Sequence, residues 1–194
     1  MSNEKQILQF LQTVEKLKST LRHNWTKTGK QESSAEHSWR IAIFFILVQE
    51  SYGYDIDVIK TFKMILIHDI PELMHGDIPG FEKEIHEKTF KNHKERELEA
   101  GKKIFSQLGD PLGTDLYNLF VEFETGTSKE ARLASALDKV ESQLQHLDSG
   151  PEYWSNEERG EHMLHYPDKA LNNLKDIHIS KIWELIKEEI IKFT

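Results

Sequence analysis

Met64-Ile65-Leu66-Ile67-His68-Asp69-Ile70-Pro71-Glu72 is the stretch from which both fold and chemistry can be read. Four apolar residues run directly into an adjacent imidazole and carboxylate, and a proline then breaks the helical register. Such a pair at the end of a buried helix needs a compensating partner, because burying an unpaired charge is costly. A divalent metal is the simplest partner for a neutral imidazole beside a carboxylate. Ile70, preceding Pro71, is biased away from helix, and Pro71 suits the first position of a short new one. Glu72 then falls in a first turn, close to Asp69.

Working outward, the chain reads as a series of helices. Residues 4–20 show apolar side chains at helical spacing (Ile7, Leu8, Leu11, Val14, Leu17), and residues 22–34 have no period and read as a loop. Ser33 and Glu36 have the spacing of a capping box, so a helix begins there and continues to about Tyr52, with His37, Ile41, Phe44, Phe45 and Val48 facing inward. Asp57 caps the next helix, whose inward residues are Val58, Ile59, Phe62, Ile65 and Leu66. Because Met64–Ile67 is apolar on every side, this helix is expected to be central. Residues 85–108 form a long polar helix ending at Gly109, and residues 112–124 form another. A second capping-box signal at Thr127 and Glu130 opens a helix to about Asp148 that buries Leu133, Leu137, Val140, Leu144 and Leu147. Residues 157–193 give one or two more helices, the last carrying Ile182, Trp183, Leu185, Ile186 and Ile190. No strand of convincing length is expected. The fold class is all-α, a single domain over residues 1–194.

Bulk properties narrow the chemistry. The 194 residues suffice for one ordinary domain. The net charge of −8 argues against a broad nucleic-acid-binding face. The chain has no cysteine, which removes disulfides, thiolate ligands and cysteine nucleophiles together. No apolar run approaches the ~20 residues of a membrane span, and the first residues lack a signal-peptide pattern, so the expectation is a cytoplasmic protein.

Four polar residues fall at the start, end or edge of an apolar helical face: His37, His68, Asp69 and Asp138. Two imidazoles and two carboxylates suit one borderline divalent ion, with positions left for water and substrate. In this order and context the sequence resembles the HD-domain metal-dependent phosphohydrolases, whose pattern is a His, a His-Asp doublet and a distant Asp, all on helices. It is most similar to their 5′-deoxynucleotidase branch. That branch is marked by Ser34-Ala35-Glu36-His37-Ser38, His68-Asp69-Ile70-Pro71-Glu72 and Gly76-Asp77-Ile78-Pro79. Glu122-Phe123-Glu124, Thr127-Ser128-Lys129-Glu130-Ala131 and Asp138-Lys139 mark it too. The likeness covers residues 7 to 148; residues 150–194 carry no motif and read as a helical extension.

The resemblance implies an HD helical bundle holding one divalent ion (Mn, Co, Fe, Zn, Ni or Mg) through His37, His68, Asp69 and Asp138. It implies Glu72 as the general acid/base, with Asp77 contacting the sugar and sharing in catalysis, and Arg22 as the arginine that orients the phosphate. His23 stands where the branch often has an aromatic residue, with Trp25 nearby. Substrate contacts are thus expected from Arg22, His23, Asp69, Asp77, Ile78, Pro79, Gly80 and Asp138. The implied reaction is hydrolysis of nucleoside 5′-monophosphates. Other HD chemistries, on phosphodiesters, triphosphates or alarmones, and a non-enzymatic nucleotide sensor are the rivals. The apolar face of the last helix, and dimers among similar proteins, lead to the expectation of a homodimer.

Overall fold

The computed structural model describes residues 2–76, 87–155, 159 and 161–193, the helical stretches 87–93 and 161–162 by their backbone alone. The long helices are α1 (Asn3–Val14), α2 (Ser34–Tyr52), α3 (Val58–Ile67), α4 (Glu87–Phe105), α5 (Leu112–Thr125) and α6 (Lys129–Ser149). Three more follow: α7 (Glu161–His165), α8 (Asp168–Leu174) and α9 (Ile177–Ile191). The fold is helical, as expected. Among the described residues, no helix is long and apolar enough to cross a membrane.

The loop expected over residues 22–34 is instead an antiparallel hairpin of β1 (Leu21–Trp25) and β2 (Gln31–Ser33). Two short strands with an irregular register give no run of alternation long enough to read as strand. The hairpin is fastened by side chains: Asn24 donates to the Ser142 carbonyl at 3.1 Å and Gln145 to the Trp25 carbonyl at 2.6 Å, both across to α6.

Local signals explain where the helices begin and end. Ser33 and Glu36 form the capping box that opens α2, and Asp57 accepts from the Lys60 amide to open α3. At α6 the cap is Ser128, accepting from the Ala131 amide, not Thr127 one residue earlier. Gly53 and Gly126 adopt the left-handed conformation that closes α2 and α5.

The central helix is α6, which packs against α2, α3, α5, α8, α9 and β1. Its alanines, Ala131, Ala134 and Ala136, are fully buried and let neighbouring helices approach closely. The helix expected at the centre, α3, has an open side: Ile59 is 65% and Leu66 54% exposed. In α1 the inward residues are Phe10, Val14 and the following Leu17, while Ile7, Leu8 and Leu11 face solvent. The last helix buries Ile179, Trp183, Ile186 and Ile190 against the core of its own chain and exposes Leu185. The apolar face behind the homodimer expectation is therefore used within the chain.

The core has two clusters, and α3 bridges them. Met64 and Ile65 belong to the larger, with α2, α6 and the C-terminal helices; Ile67 and Ile70 belong to the smaller, with Leu17, Phe105 and Phe120. Each fully buried side chain of this size contributes ~1.5–3 kcal/mol. The His68-Asp69 doublet thus sits at a junction held rigid from both sides.

Candidate functional site

His37 and His68 arrive from different helices, and their ring centroids stand 5.8 Å apart. His37 lies in the first turn of α2, directly after the Ser33–Glu36 capping box, and is fully buried. His68 caps the C-terminal end of α3, and Asp69 opens the short 3-10 turn Ile70–Met74 that carries Pro71 and Glu72. Asp138 comes from the middle of α6, with Asp69 and Asp138 each under a tenth exposed. The structure brings His37, His68 and Asp69 together and sets Asp138 against His37. His37 Nε2 lies 3.0 Å from Asp138 Oδ1, and His68 Nε2 lies 3.0 Å from Asp69 Oδ1. One ligand atom from each of His37, His68 and Asp69 falls within 4.8 Å of the others.

These residues fit a metal. The Nδ1–H of His68 donates to the Ile65 carbonyl at 2.8 Å, so in the neutral imidazole Nε2 is the lone pair available to a metal. That Nε2 and Asp69 Oδ2 are both buried without a hydrogen-bond partner, a costly arrangement unless a cation sits between them. Nitrogen and oxygen atoms about 3 Å apart are at the spacing of adjacent ligands on one ion with bonds of ~2.0–2.2 Å. The electrostatics agree. Burial and the Arg22 charge oppose a proton on His37, yet Glu141 and Asp138 outweigh them and lift its pKa to about 10. Burial likewise opposes charge on His68, and Asp69 overcomes it. For Asp69 and Asp138, burial favours the neutral acid, but His68 beside the first and Lys139 beside the second hold both carboxyls below the usual range. The site gathers positive charge wherever it can.

Arg22, on β1, reaches the same place. Its Nη1 is 3.5 Å from Asp69 Oδ2, Nε is 3.3 Å from Glu32, and Nη2 donates to Ser142 Oγ at 3.1 Å. Glu72 is half-buried, and its Oε2 accepts from Ser34 Oγ at 2.7 Å, which ties it to the first turn of α2, three residues before His37. His23 is turned toward His146, with Nε2 atoms 3.4 Å apart, and Trp25 stacks on Tyr153 at 5.2 Å. Asp77, Ile78, Pro79 and Gly80 lie outside the described residues.

The sequence places Ser34 and Lys139 in its motifs but gives no role to them or to Glu32 and Glu141; Ser34, Glu32 and Glu141 are buried, and Lys139 is part-exposed. Ser34 is fully buried and holds Glu72; Lys139 Nζ is 2.8 Å from Asp138 Oδ2; Glu141 is fully buried and takes His37 Nδ1. Glu32 is 2% exposed, and burial, reinforced by Glu141, raises its pKa to about 7. Glu141 had a legible signal, being one helical turn past Asp138. Glu32 had none, because its strand is three residues long.

The HD domain family model matches residues 14–178. A Homo sapiens protein named 5′-deoxynucleotidase HDDC2 is 32% identical over 141 residues, 72% of this chain and 66% of that relative, so the match spans just under two thirds of its length. A Xenopus laevis protein of the same name is 28% identical over 95% of this chain and 88% of its own. A crystal structure from Magnetospirillum magnetotacticum, described as a predicted metal-dependent phosphohydrolase, superposes with a TM-score of 0.82. It is 25% identical and covers 99% of this chain and 97% of that one. With the His, His-Asp and Asp gathered on three helices and the family model spanning most of the sequence, this chain belongs to the HD domain family.

Proposed function

We propose that this chain is a metal-dependent phosphomonoesterase that hydrolyses (deoxy)nucleoside 5′-monophosphates to nucleoside and phosphate. The observation that carries the proposal is the buried pair His68 Nε2 and Asp69 Oδ2, neither with a hydrogen bond, beside the His37–Asp138 pair and with the Arg22 guanidinium 3.5 Å from Asp69 Oδ2. The substrate class is supported by the names of the relatives in Homo sapiens and Xenopus laevis.

In this reading His37, His68, Asp69 and Asp138 hold one divalent ion. When bound, such an ion neutralises phosphate charge and lowers the pKa of a bound water. Arg22, aligned by Glu32 and Ser142, holds a phosphate oxygen with its Nη1 edge. Glu72 receives the proton of the attacking water as the new P–O bond forms. It returns a proton to the 5′ oxygen as the old P–O bond breaks. Ser34 keeps its carboxylate aimed. Asp77, and with it Ile78, Pro79 and Gly80, would meet the sugar side of the substrate. His23, engaged with His146, reaches the base or sugar only by leaving that partner.

We also propose a cytoplasmic homodimer. Its contact would use the exposed apolar residues of α2 and α3, such as Trp39, Leu47, Ile59 and Leu66, instead of α9. Light scattering at micromolar concentration tests it: a dimer mass is expected, and a monomer mass overturns it.

The experiment for function is a phosphate-release screen over nucleoside mono-, di- and triphosphates, a dinucleotide phosphodiester and an alarmone, with Mn²⁺ supplied. Release from monophosphates alone, deoxyribose forms included, is expected. Turnover confined to any other class, or binding with no turnover of any, contradicts the proposal.

A further inference from the structure

We infer that Glu141 is a positioning residue for the metal site: its carboxylate fixes His37 with Nε2 toward the ion and strengthens that imidazole as a ligand. The inference rests on the metal reading above and extends it to a residue outside the ligand set.

Asp138 and Glu141 lie three residues apart on α6, so their side chains project from the same face, one turn apart. His37 is held between them. Asp138 Oδ1 meets Nε2 at 3.0 Å, and Glu141 Oε2 accepts from Nδ1 on the opposite edge. One helix therefore supplies both a partner at the metal-facing nitrogen and the clamp behind the ring. Glu141 is 0% exposed, as is His37, so the contact is made without competition from water.

A simpler account makes Glu141 the ion-pair partner of Arg40. The distances speak against that as its main role. Arg40 Nε stands 3.5 Å from Glu141 Oε1, and that oxygen has no hydrogen bond. Arg40 instead donates to Gln145 and to Asp148, each at 2.5 Å. Glu141 spends its closest contact on His37.

The two ligating imidazoles are thus backed differently. His68 donates to a neutral carbonyl, that of Ile65, whereas His37 donates to a buried carboxylate. A carboxylate behind a ligating histidine fixes its tautomer and raises its basicity, and removing such a partner typically weakens metal binding 10–100-fold. His37 sits at the start of a helix, where orientation rests on a single capped turn, so the clamp also has mechanical value.

The test is calorimetric titration of Mn²⁺ alone into chelator-stripped full-length protein, for wild type, Glu141→Gln and Glu141→Ala. Thermal unfolding of each metal-free protein is recorded beside it. Gln can still accept from Nδ1 but carries no charge, so E141Q should bind within about ten-fold of wild type. E141A should bind ~10–100-fold more weakly. The near-isosteric E141Q should keep the metal-free unfolding temperature within a few degrees. Wild-type affinity in both variants overturns the inference and leaves the metal reading intact. A loss of affinity in E141Q that only tracks a loss of metal-free stability makes Glu141 a packing residue and also overturns it. A wild type that binds no Mn²⁺ overturns the metal reading itself, and this inference with it.

Discussion

Replacing Ser34 by Ala removes one hydroxyl and tests whether Glu72 acts as the proton-transfer group. Ser34 Oγ donates to Glu72 Oε2 at 2.7 Å, and Ser34 is fully buried. A hydrogen bond to a charged group contributes ~1.5–3 kcal/mol. Lost wholly from the transition state, that is a factor of roughly 10–150 in rate. The carboxylate keeps part of its aim through the 3-10 turn that carries it, so the expected fall in kcat is about ten-fold, with KM little changed. Glu72→Ala removes the group altogether and should cost ~10²–10⁴-fold. The double variant should be no slower than E72A, because a serine with no carboxylate to hold has nothing to position. The coupling energy should then be about 1.4 kcal/mol, one factor of ten in rate. Steady-state phosphate release from a deoxynucleoside 5′-monophosphate at saturating Mn²⁺ measures all four proteins. Losses that simply multiply in the double variant, or an S34A enzyme as fast as wild type, would refute the reasoning.

Trp183 is 1% exposed and should destabilise by ~3–5 kcal/mol as Ala, lowering Tm by roughly 6–20 °C, whereas Leu185→Ala, at a 65% exposed site, should shift it by less than about 2 °C; thermal circular dichroism reads both. Ser128→Ala should cost ~1 kcal/mol of α6 capping and Thr127→Ala less than about 0.5, and urea unfolding that reversed the order would return the cap to Thr127. Glu32, raised from 4.5 to about 7 by burial and by Glu141, keeps a proton in the folded state that the unfolded chain has released. Metal-free wild type should therefore lose stability relative to Glu32→Gln as pH rises from about 4.5 to 7, and parallel urea midpoints across that window would contradict it.

Helix starts and the His68-Asp69 doublet were legible because each rests on a local pattern. In the capping box at Ser33 and Glu36, the Asp57 cap on the Lys60 amide and the His68-Asp69 doublet before Pro71, the members of each signal stand within a few residues of one another. What failed depends on contacts distant in sequence. Periodicity marks Ile59 and Leu66 as apolar but cannot say which side of α3 meets the core. The exposed side follows from α6 being the central helix. The same holds for Ile7, Leu8 and Leu11, where Phe10 and Val14 win the inward position. The hairpin was hidden because its strands are held by Ser142 and Gln145, more than a hundred residues away. Glu141 was passed over for a related reason. Its place one turn past Asp138 could be read, but its contact with His37 forms only when α2 packs on α6.

The central claim is that His37, His68, Asp69 and Asp138 hold one divalent ion on which hydrolysis depends. Its most direct test is to strip the protein with chelator and titrate Mn²⁺ back, following binding and phosphate release from a deoxynucleoside 5′-monophosphate in parallel, beside His68→Ala and Asp69→Ala. We expect one ion per chain in wild type, activity regained in step with occupancy, and neither binding nor activity in the two variants, whose fold is checked by circular dichroism. Full turnover by the stripped wild type, or unchanged stoichiometry and activity in folded H68A and D69A proteins, would contradict it.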